Sequence, residues 1–308
     1  MKAVVYTEYG APEVLKLREV EKPVPGNNEI LVKVLASSVT SGVSFIRKGE
    51  HPDSRLFTLI LRLFLGLSKP RKTVLGYEVA GTVESTGRDV KSFKTGDHIF
   101  GTTTGLKQGA YAEYVCLPEH WKSGVVAKKP ENLSFEEAAA IPVGAMTALY
   151  TLRKANIAEG QRILVYGASG SVGTYVVQLA SYFGAEVTGV CSTTNLDMVQ
   201  SIGAHKVIDY TKEDFTKNGE IYDVIFDAVG KHSKARCKGS LKNKGFYLST
   251  NTPTKELTDN LIYLKGLVEK GIIKPVIDQS FPLEQTAEAH RYVDGGHKKG
   301  NVVIRVEQ

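Results

Sequence analysis

The sequence predicts an α/β chain in two parts, a β-barrel-type unit first and a doubly wound parallel sheet second. Three observations carry that reading. Short alternating strands separated by turn residues fill the stretch up to about residue 120. From about residue 124, short apolar strands alternate with amphipathic helices, the rhythm of a parallel sheet covered by helices. Within that second stretch a glycine-rich turn joins a strand to a helix. The 308 residues exceed one domain of roughly 100–200 residues, so two are expected. With 42% hydrophobic and 23% charged residues the composition is ordinary globular, which excludes a disordered or fibrous chain. Three cysteines, Cys116, Cys191 and Cys237, are too few for a disulfide scaffold and fit a reducing compartment. A net charge of +6 spread over this length points to no particular partner, and no nucleic acid is expected.

The elements follow in order. Met1-Lys-Ala-Val-Val-Tyr6 enters strand alternation at once, without the apolar core of a secretory signal, so a cytoplasmic location is expected. Residues 29–35 and 77–84 alternate with period two, and Gly96-Asp97 and Gly101 punctuate them. The apolar run 56–67 is shorter than the roughly 18–20 residues of a membrane span, and Arg62 interrupts it. It reads as a helical insertion whose apolar face is buried in the core, or else covers an apolar substrate pocket. With no clearly polar side, its pattern argues against a helix lying on a membrane.

Ser134-Phe-Glu-Glu137 is a capping box that opens helical texture at 138–141 and 146–152. Residues 162–166 form a strand. The helix after the glycine turn lines up Val172, Val176, Leu179 and Phe183 on one face, and Gly184 stops it. Strands follow at 186–190, 206–210, 222–227 and 245–249, then a helix over 256–270. A strand at 275–278, a helix near 283–293 and a last strand at 301–306 close the chain, and that last strand suggests a return to the first unit. The expected domains are therefore 1–123 with 256–308, and 124–255.

Gly167-Ala-Ser-Gly-Ser-Val-Gly173 lies between strand and helix, the context that gives G-x-G-x-x-G meaning. Ala168 stands where the fingerprint has its first glycine. Gly170 lets the backbone approach a pyrophosphate, and Gly173 lets helix and strand pack closely. The free amides of the helix start then face the phosphates. The second strand discriminates between dinucleotides, because NAD-binders place an acid about 20 residues beyond the fingerprint, on the ribose 2′-hydroxyl. Here the strand ends in Cys191-Ser-Thr-Thr-Asn195. Hydroxyls can donate to a 2′-phosphate, which a carboxylate would repel, so NADPH is favoured and NADH is the lesser cofactor. No Lys or Arg directly follows Ser192, and Asp197 is close by. Tyr210, closing the third strand, is either a phenolic donor to the same phosphate or an ordinary buried tyrosine.

The chain resembles the medium-chain dehydrogenase/reductase superfamily, in its zinc-free quinone-oxidoreductase, zeta-crystallin-like branch. The resemblance rests on Leu75-Gly-Tyr-Glu-Val-Ala-Gly-Thr-Val83, Val90-Lys-Ser-Phe-Lys-Thr-Gly-Asp97, Gly109-Ala-Tyr-Ala-Glu-Tyr114, the glycine turn and Ile273-Lys-Pro-Val-Ile-Asp278. Gly296-His-Lys-Lys-Gly-Asn-Val-Val-Ile304 completes it. The resemblance implies a GroES-like substrate domain built from both chain ends, an inserted Rossmann domain, and an active site in the cleft between them. It implies hydride transfer from NADPH to quinones or α,β-unsaturated carbonyls, with a small hydrophobic substrate. It places Ser169, Gly170, Ser171, Val172 and Gly173 on the pyrophosphate, and Ser192 and Tyr210 at the 2′-phosphate. Thr147 falls near the nicotinamide, and Leu248 and Ser249 line its pocket.

Zinc-dependent members carry His where Tyr77 stands here, and the three cysteines are isolated, so no metal site is expected and Glu78 reads as a structural carboxylate. Two departures stand out. Thr40 replaces the Asn of the usual Asn-Pro-x-Asp, and only a few residues separate Thr250 from the helix near Glu256, where relatives carry a further strand that commonly forms the subunit contact. The usual dimer therefore does not follow. No general acid stands out; Tyr77 and Thr40 are chemically suitable, and His290 reads as packing. The competing reading is an NADPH-binding sensor or interaction protein with little turnover. Its densest basic group, Lys69-Pro-Arg-Lys72, lacks the neighbouring aromatics of a nucleic-acid site.

Overall fold

Apolar alternation in the first part of the chain becomes one antiparallel sheet, seen in a computed structural model that describes residues 1–50, 55–103, 108–121, 124–252 and 254–307. Strands β1 (Lys2–Val5) and β2 (Lys16–Glu19) pair with each other. β3 (Glu29–Ser38) is followed by helices α1 (Ser41–Lys48) and α2 (Arg55–Leu65), then by β4 (Glu78–Thr86), β5 (His98–Thr102), β6 (Tyr114–Pro118) and β7 (Val126–Lys128). β4 pairs with β3 and β5, and β7 pairs with β5. Ile30, Val32 and Val34 of β3 point into one core with Val79, Val83 and Ile99, as period two requires. Helix α3 (Phe135–Ala139) rests on β3, β4 and β5 and starts at the Ser134/Glu137 capping box, in which each side chain bonds the other residue's amide.

After α4 (Pro142–Ala155) the pattern changes to alternating strands and helices: β8 (Arg162–Tyr166), α5 (Ser171–Tyr182), β9 (Glu186–Cys191), α6 (Leu196–Ser201), β10 (Lys206–Asp209), β11 (Tyr222–Asp227) and β12 (Leu241–Ser249). All pairings are parallel, in the order β10-β9-β8-β11-β12. This is the doubly wound arrangement, with the crossover beside β8, the strand that feeds the glycine turn. The sheet stops at five strands. β12 starts at Leu241, before the expected Gly245, and its register shifts as it passes from Leu241 to Phe246. Its first half carries exposed Lys242, Asn243 and Lys244, an edge without apolar alternation.

The tail runs through α7 (Thr258–Glu269), β13 (Ile277–Pro282), α8 (Thr286–Asp294) and β14 (Asn301–Arg305). β14 returns to the first sheet: Val303, Ile304 and Arg305 pair with Ser38, Ser37 and Ala36 of β3, while β6 takes Glu29 to Lys33 of the same strand. β13 lies outside β14 as a parallel edge. Two compact units result, residues 1–142 with 256–265 and 277–308, and residues 143–255 with 266–276.

The run at 56–67 forms a helix but departs from the expected burial. Leu56, Phe57, Leu59, Ile60, Leu63 and Phe64 face solvent, Thr58, Leu61 and Arg62 are half-buried, and Leu65 is buried. A sequence pattern shows that a helix has an apolar side, not which way that side is mounted.

Candidate functional site

The glycine turn of the second unit is built from backbone. Gly167 has φ +78 and, with Ala168, donates its amide to Val190 O, locking the turn to β9. A Cβ on Gly173 would lie 2.1 Å from Gly167 O and 2.9 Å from Ala168 Cα, so only glycine lets α5 pack here. At Gly170 a Cβ would meet only Gly167 O, at 3.4 Å, and the rest of its surroundings are open. Gly170 is the N-cap of α5 and brings no side-chain cap, and the start of a helix is where backbone amides receive an anion. Ser169, Ser171 and Val172 are half-buried around this turn. Gly144 fits α4 against α5, since a Cβ there would come within 2.9 Å of Ser171 Oγ and Tyr175 Cε2. Thr147 sits half-buried one turn further along α4.

The ribose end assembles beside it. Asn195 donates from Nδ2 to Ser192 Oγ at 3.0 Å and to Ser169 Oγ at 3.3 Å, so one amide ties the second strand's end to the glycine turn. Its Oδ1 is buried without a partner. Nothing in the residues around Asn195 marks this role; only the close approach of two separated loops reveals it. An acid also arrives unannounced. Asp209 ends β10 opposite Cys191 in the parallel register, where Thr193 donates to it at 2.5 Å. The hydroxyls of Thr193 and Thr211 hold its carboxyl down to about 2.

Tyr210 is half-exposed rather than an ordinary buried tyrosine. It borders a recess with Tyr166, Phe215, His232, Asp214 and Arg236. The His232 ring stands edge-on to Tyr166 at 4.3 Å, burial lowers its pKa, and neither ring nitrogen has a partner. Buried Asp227 braces this loop by accepting the amides of Val229, Gly230 and His232. Leu248 is buried and Ser249 half-buried at the end of β12, beside Phe226 and Asp227 of β11. The open space at Gly170, the helix start without a side-chain cap and the orphaned Asn195 Oδ1 suit a dinucleotide.

In the first unit, Thr40 caps α1 by accepting from Val43 N at 3.3 Å. The Tyr77 ring lies near Gly42, whose Cβ would be 3.4 Å from Tyr77 Cε2. Burial and the Glu256 carboxylate push the Tyr77 phenol above its ordinary range. Glu78 is buried and accepts from Ser38 Oγ. Burial pulls the Lys298 ammonium down to about 8, against the opposing pull of Glu78. Among the described residues no three His, Cys, Asp or Glu side chains gather to hold a metal.

Behind these residues runs a buried polar chain. Arg47, fully buried, donates to Asp294 Oδ2 at 2.6 Å and to Gly10 O at 3.1 Å. Its Nη1 also faces His290 Nδ1 at 3.1 Å, and His290 Nε2 faces Tyr111 Oη at 3.2 Å. Tyr111 donates onward to Ser38 O. Burial first, then Arg47, holds His290 down to about 3, so the ring is neutral; because a guanidinium can only donate, Nδ1 accepts from Arg47 and the proton sits on Nε2. His290 thus packs in the core and also relays hydrogen bonds.

The five-stranded parallel sheet with this turn and the antiparallel unit completed by β14 are the two units that the comparisons with known proteins bear on. Residues 26–131 match the alcohol dehydrogenase GroES-like domain, and residues 202–256 and 237–304 match the zinc-binding dehydrogenase family. The chain is 38% identical to the 2-methylene-furan-3-one reductase of Solanum lycopersicum, over 99% of this chain and 79% of that protein. It is 33% identical to the chloroplastic NADPH-dependent alkenal/one oxidoreductase of Arabidopsis thaliana, over 99% and 79%. Among solved structures it is similar to the quinone oxidoreductase of Coxiella burnetii, with TM-score 0.88, 27% identity and coverage of 100% and 99%. The Escherichia coli quinone oxidoreductase complexed with NADPH gives TM-score 0.82 and 26% identity, over 99% and 100%. The chain belongs to the medium-chain dehydrogenase/reductase superfamily, in its quinone-oxidoreductase branch.

Proposed function

We propose that the protein is an NADPH-dependent, zinc-independent reductase of quinones or α,β-unsaturated carbonyls. The observation that carries this reading is the end of β9. There the hydroxyls of Ser192, Thr193 and Thr194 stand at the position of the NAD-binders' acid, and Asn195 joins them to Ser169. The Asp209 carboxylate beside it is engaged by Thr193 and Thr211, with Lys212 Nζ at 3.6 Å. In this reading Ser169 to Gly173 hold the pyrophosphate, Ser192 and Tyr210 the 2′-phosphate, and Thr147, Leu248 and Ser249 the nicotinamide end.

Bound there, the dinucleotide supplies a hydride. The chain's own part is to orient the acceptor and stabilise the oxygen charge that develops on it. The Tyr77 phenol, raised by burial, keeps its proton across the working pH range and serves as a hydrogen-bond donor rather than a base. Thr40 Oγ1 accepts from Val43 N and retains its own proton to donate. The names of the relatives, one acting on a methylene-furanone and others on alkenals or quinones, support this acceptor class.

Loss of reduced-nicotinamide absorbance against a panel of quinones and enones tests the reading, with NADPH and NADH compared and a chelator present. NADPH turnover indifferent to the chelator is the expected result. Activity abolished by the chelator and restored by zinc overturns the metal-free mechanism. Tight NADPH binding without turnover on any acceptor moves the reading to a nucleotide sensor.

A further inference from the structure

Helix α2 is mounted in the reverse sense for a core helix. Its inner side is narrow: Leu65 is buried, Leu61 packs on the core of the first unit, and Arg62 fastens the helix by donating to Gly49 O at 2.9 Å with its guanidinium over the Tyr9 ring. Its outer side shows Leu56, Leu59, Ile60, Leu63 and Phe64 at three- and four-residue spacing, and Leu67 extends the stripe past the helix end. These six side chains are between 39% and 67% exposed. A contiguous apolar stripe of this kind marks an interaction surface.

Its surroundings say what covers it. No Asp or Glu occurs between Asp53 and Glu78, whereas Arg55, Arg62, Lys69, Arg71 and Lys72 all fall there. The turn after α2 holds the last three beside the stripe. Arg71 N donates to Leu65 O at 2.7 Å, Tyr9 Oη donates to Gly66 O at 2.7 Å, and Gly66 has φ +123, where a Cβ would meet Lys69 O at 2.0 Å. Lys69, Arg71 and Lys72 are exposed there.

We propose that this face docks on an anionic lipid surface, the apolar stripe entering the headgroup boundary and Lys69, Arg71 and Lys72 meeting lipid phosphates. The polar component that the helix's own sequence lacks is supplied by the folded-back turn. A second copy is the poorer occupant, because a two-fold contact through α2 sets the Lys69, Arg71 and Lys72 clusters of two copies against each other, while the acid beside the helix, Glu50, lies 4.0 Å from Arg62. The proposal does not rest on the reaction assigned above.

The test is flotation of the full chain with phosphatidylcholine vesicles, with and without about a third phosphatidylglycerol, at low and high salt. Capture by the anionic vesicles and release by salt are expected. Lys69→Gln with Lys72→Gln should weaken partition about 25-fold, from about fivefold per basic residue. Leu63→Glu with Phe64→Glu should abolish capture while leaving the melting temperature and gel-filtration profile of the protein unchanged, because both side chains already face solvent. Failure of the unaltered protein to float with either vesicle overturns the proposal. So does a dimer that Leu63→Glu with Phe64→Glu splits into monomers without any vesicle capture, which gives the face to a second copy.

Discussion

The glycine turn and the Arg47–His290 chain are both polar and central to their units, yet they are built in opposite ways. At the turn, Gly167, Gly170 and Gly173 act through backbone geometry within seven residues, and the turn's backbone is tied to β9 through Val190 O. In the first unit, Arg47 and His290 meet across 243 positions, and His290 and Tyr111 across 179. The turn is a local device, specified by residues that lack a side chain. The buried chain is a long-range one, specified by side chains that find each other only when both chain ends are in place.

If the turn depends on the absence of Cβ, Gly173→Ala should be the most damaging single change. Its Cβ meets backbone atoms that cannot rotate away, so a stability loss of about 3 kcal/mol or more is expected in urea melts, together with loss of cofactor binding. Gly170→Ala is the control that sharpens this: its Cβ has room, so stability should hold while cofactor affinity falls. In the buried chain, Asp294→Ala leaves the fully buried Arg47 guanidinium without its closest counter-charge. Because the Asp294 side chain is partly exposed, the expected cost is about 2–3 kcal/mol, below that of a fully buried pair.

His290 predicts an acid sensitivity. Its folded pKa of about 3 lies below the ordinary 6.5, so between these values the unfolded chain binds more protons and stability falls as pH falls. Arg47 and Tyr111 face its nitrogens, Ser44 lies at 3.4 Å, and Lys48 and Asp294 act from α1 and α8. At pH 5 the loss from this group should be about 2 kcal/mol, at about 1.4 kcal/mol per unit, and His290→Gln should flatten the slope of urea midpoints between pH 7 and pH 5. The smallest effect is expected at Ser192→Ala. Removing one hydroxyl should raise the NADPH KM about 3–10-fold and leave the NADH KM unchanged, a loss of about 1 kcal/mol; equal shifts for both would remove Ser192 from the 2′-phosphate.

The same contrast explains what was legible in the sequence. The parallel sheet, the turn and the capping box at Ser134 were readable because each is written in a short run of residues. The return of β14 to β3 was readable only as a strand left over once the alternating rhythm stopped. Asn195 and Asp209 escaped notice because they become partners of Ser169 and Thr193 only through the placement of parallel strands and loops. Tyr210 invited a buried reading from its place after an apolar strand, and the recess beside Tyr166 exposes half of it. For α2 the apolar side was evident and its direction was not, since the anchor is a guanidinium laid on Tyr9.

The return of the last strand also sets a timetable. A ribosome delivers the whole of residues 143–276 before it delivers Asn301–Arg305. The five-stranded sheet can therefore close while Ala36 to Ser38 of β3 still await their neighbour. The unit begun first is the one finished last, and during synthesis its raw edge waits longest for cover.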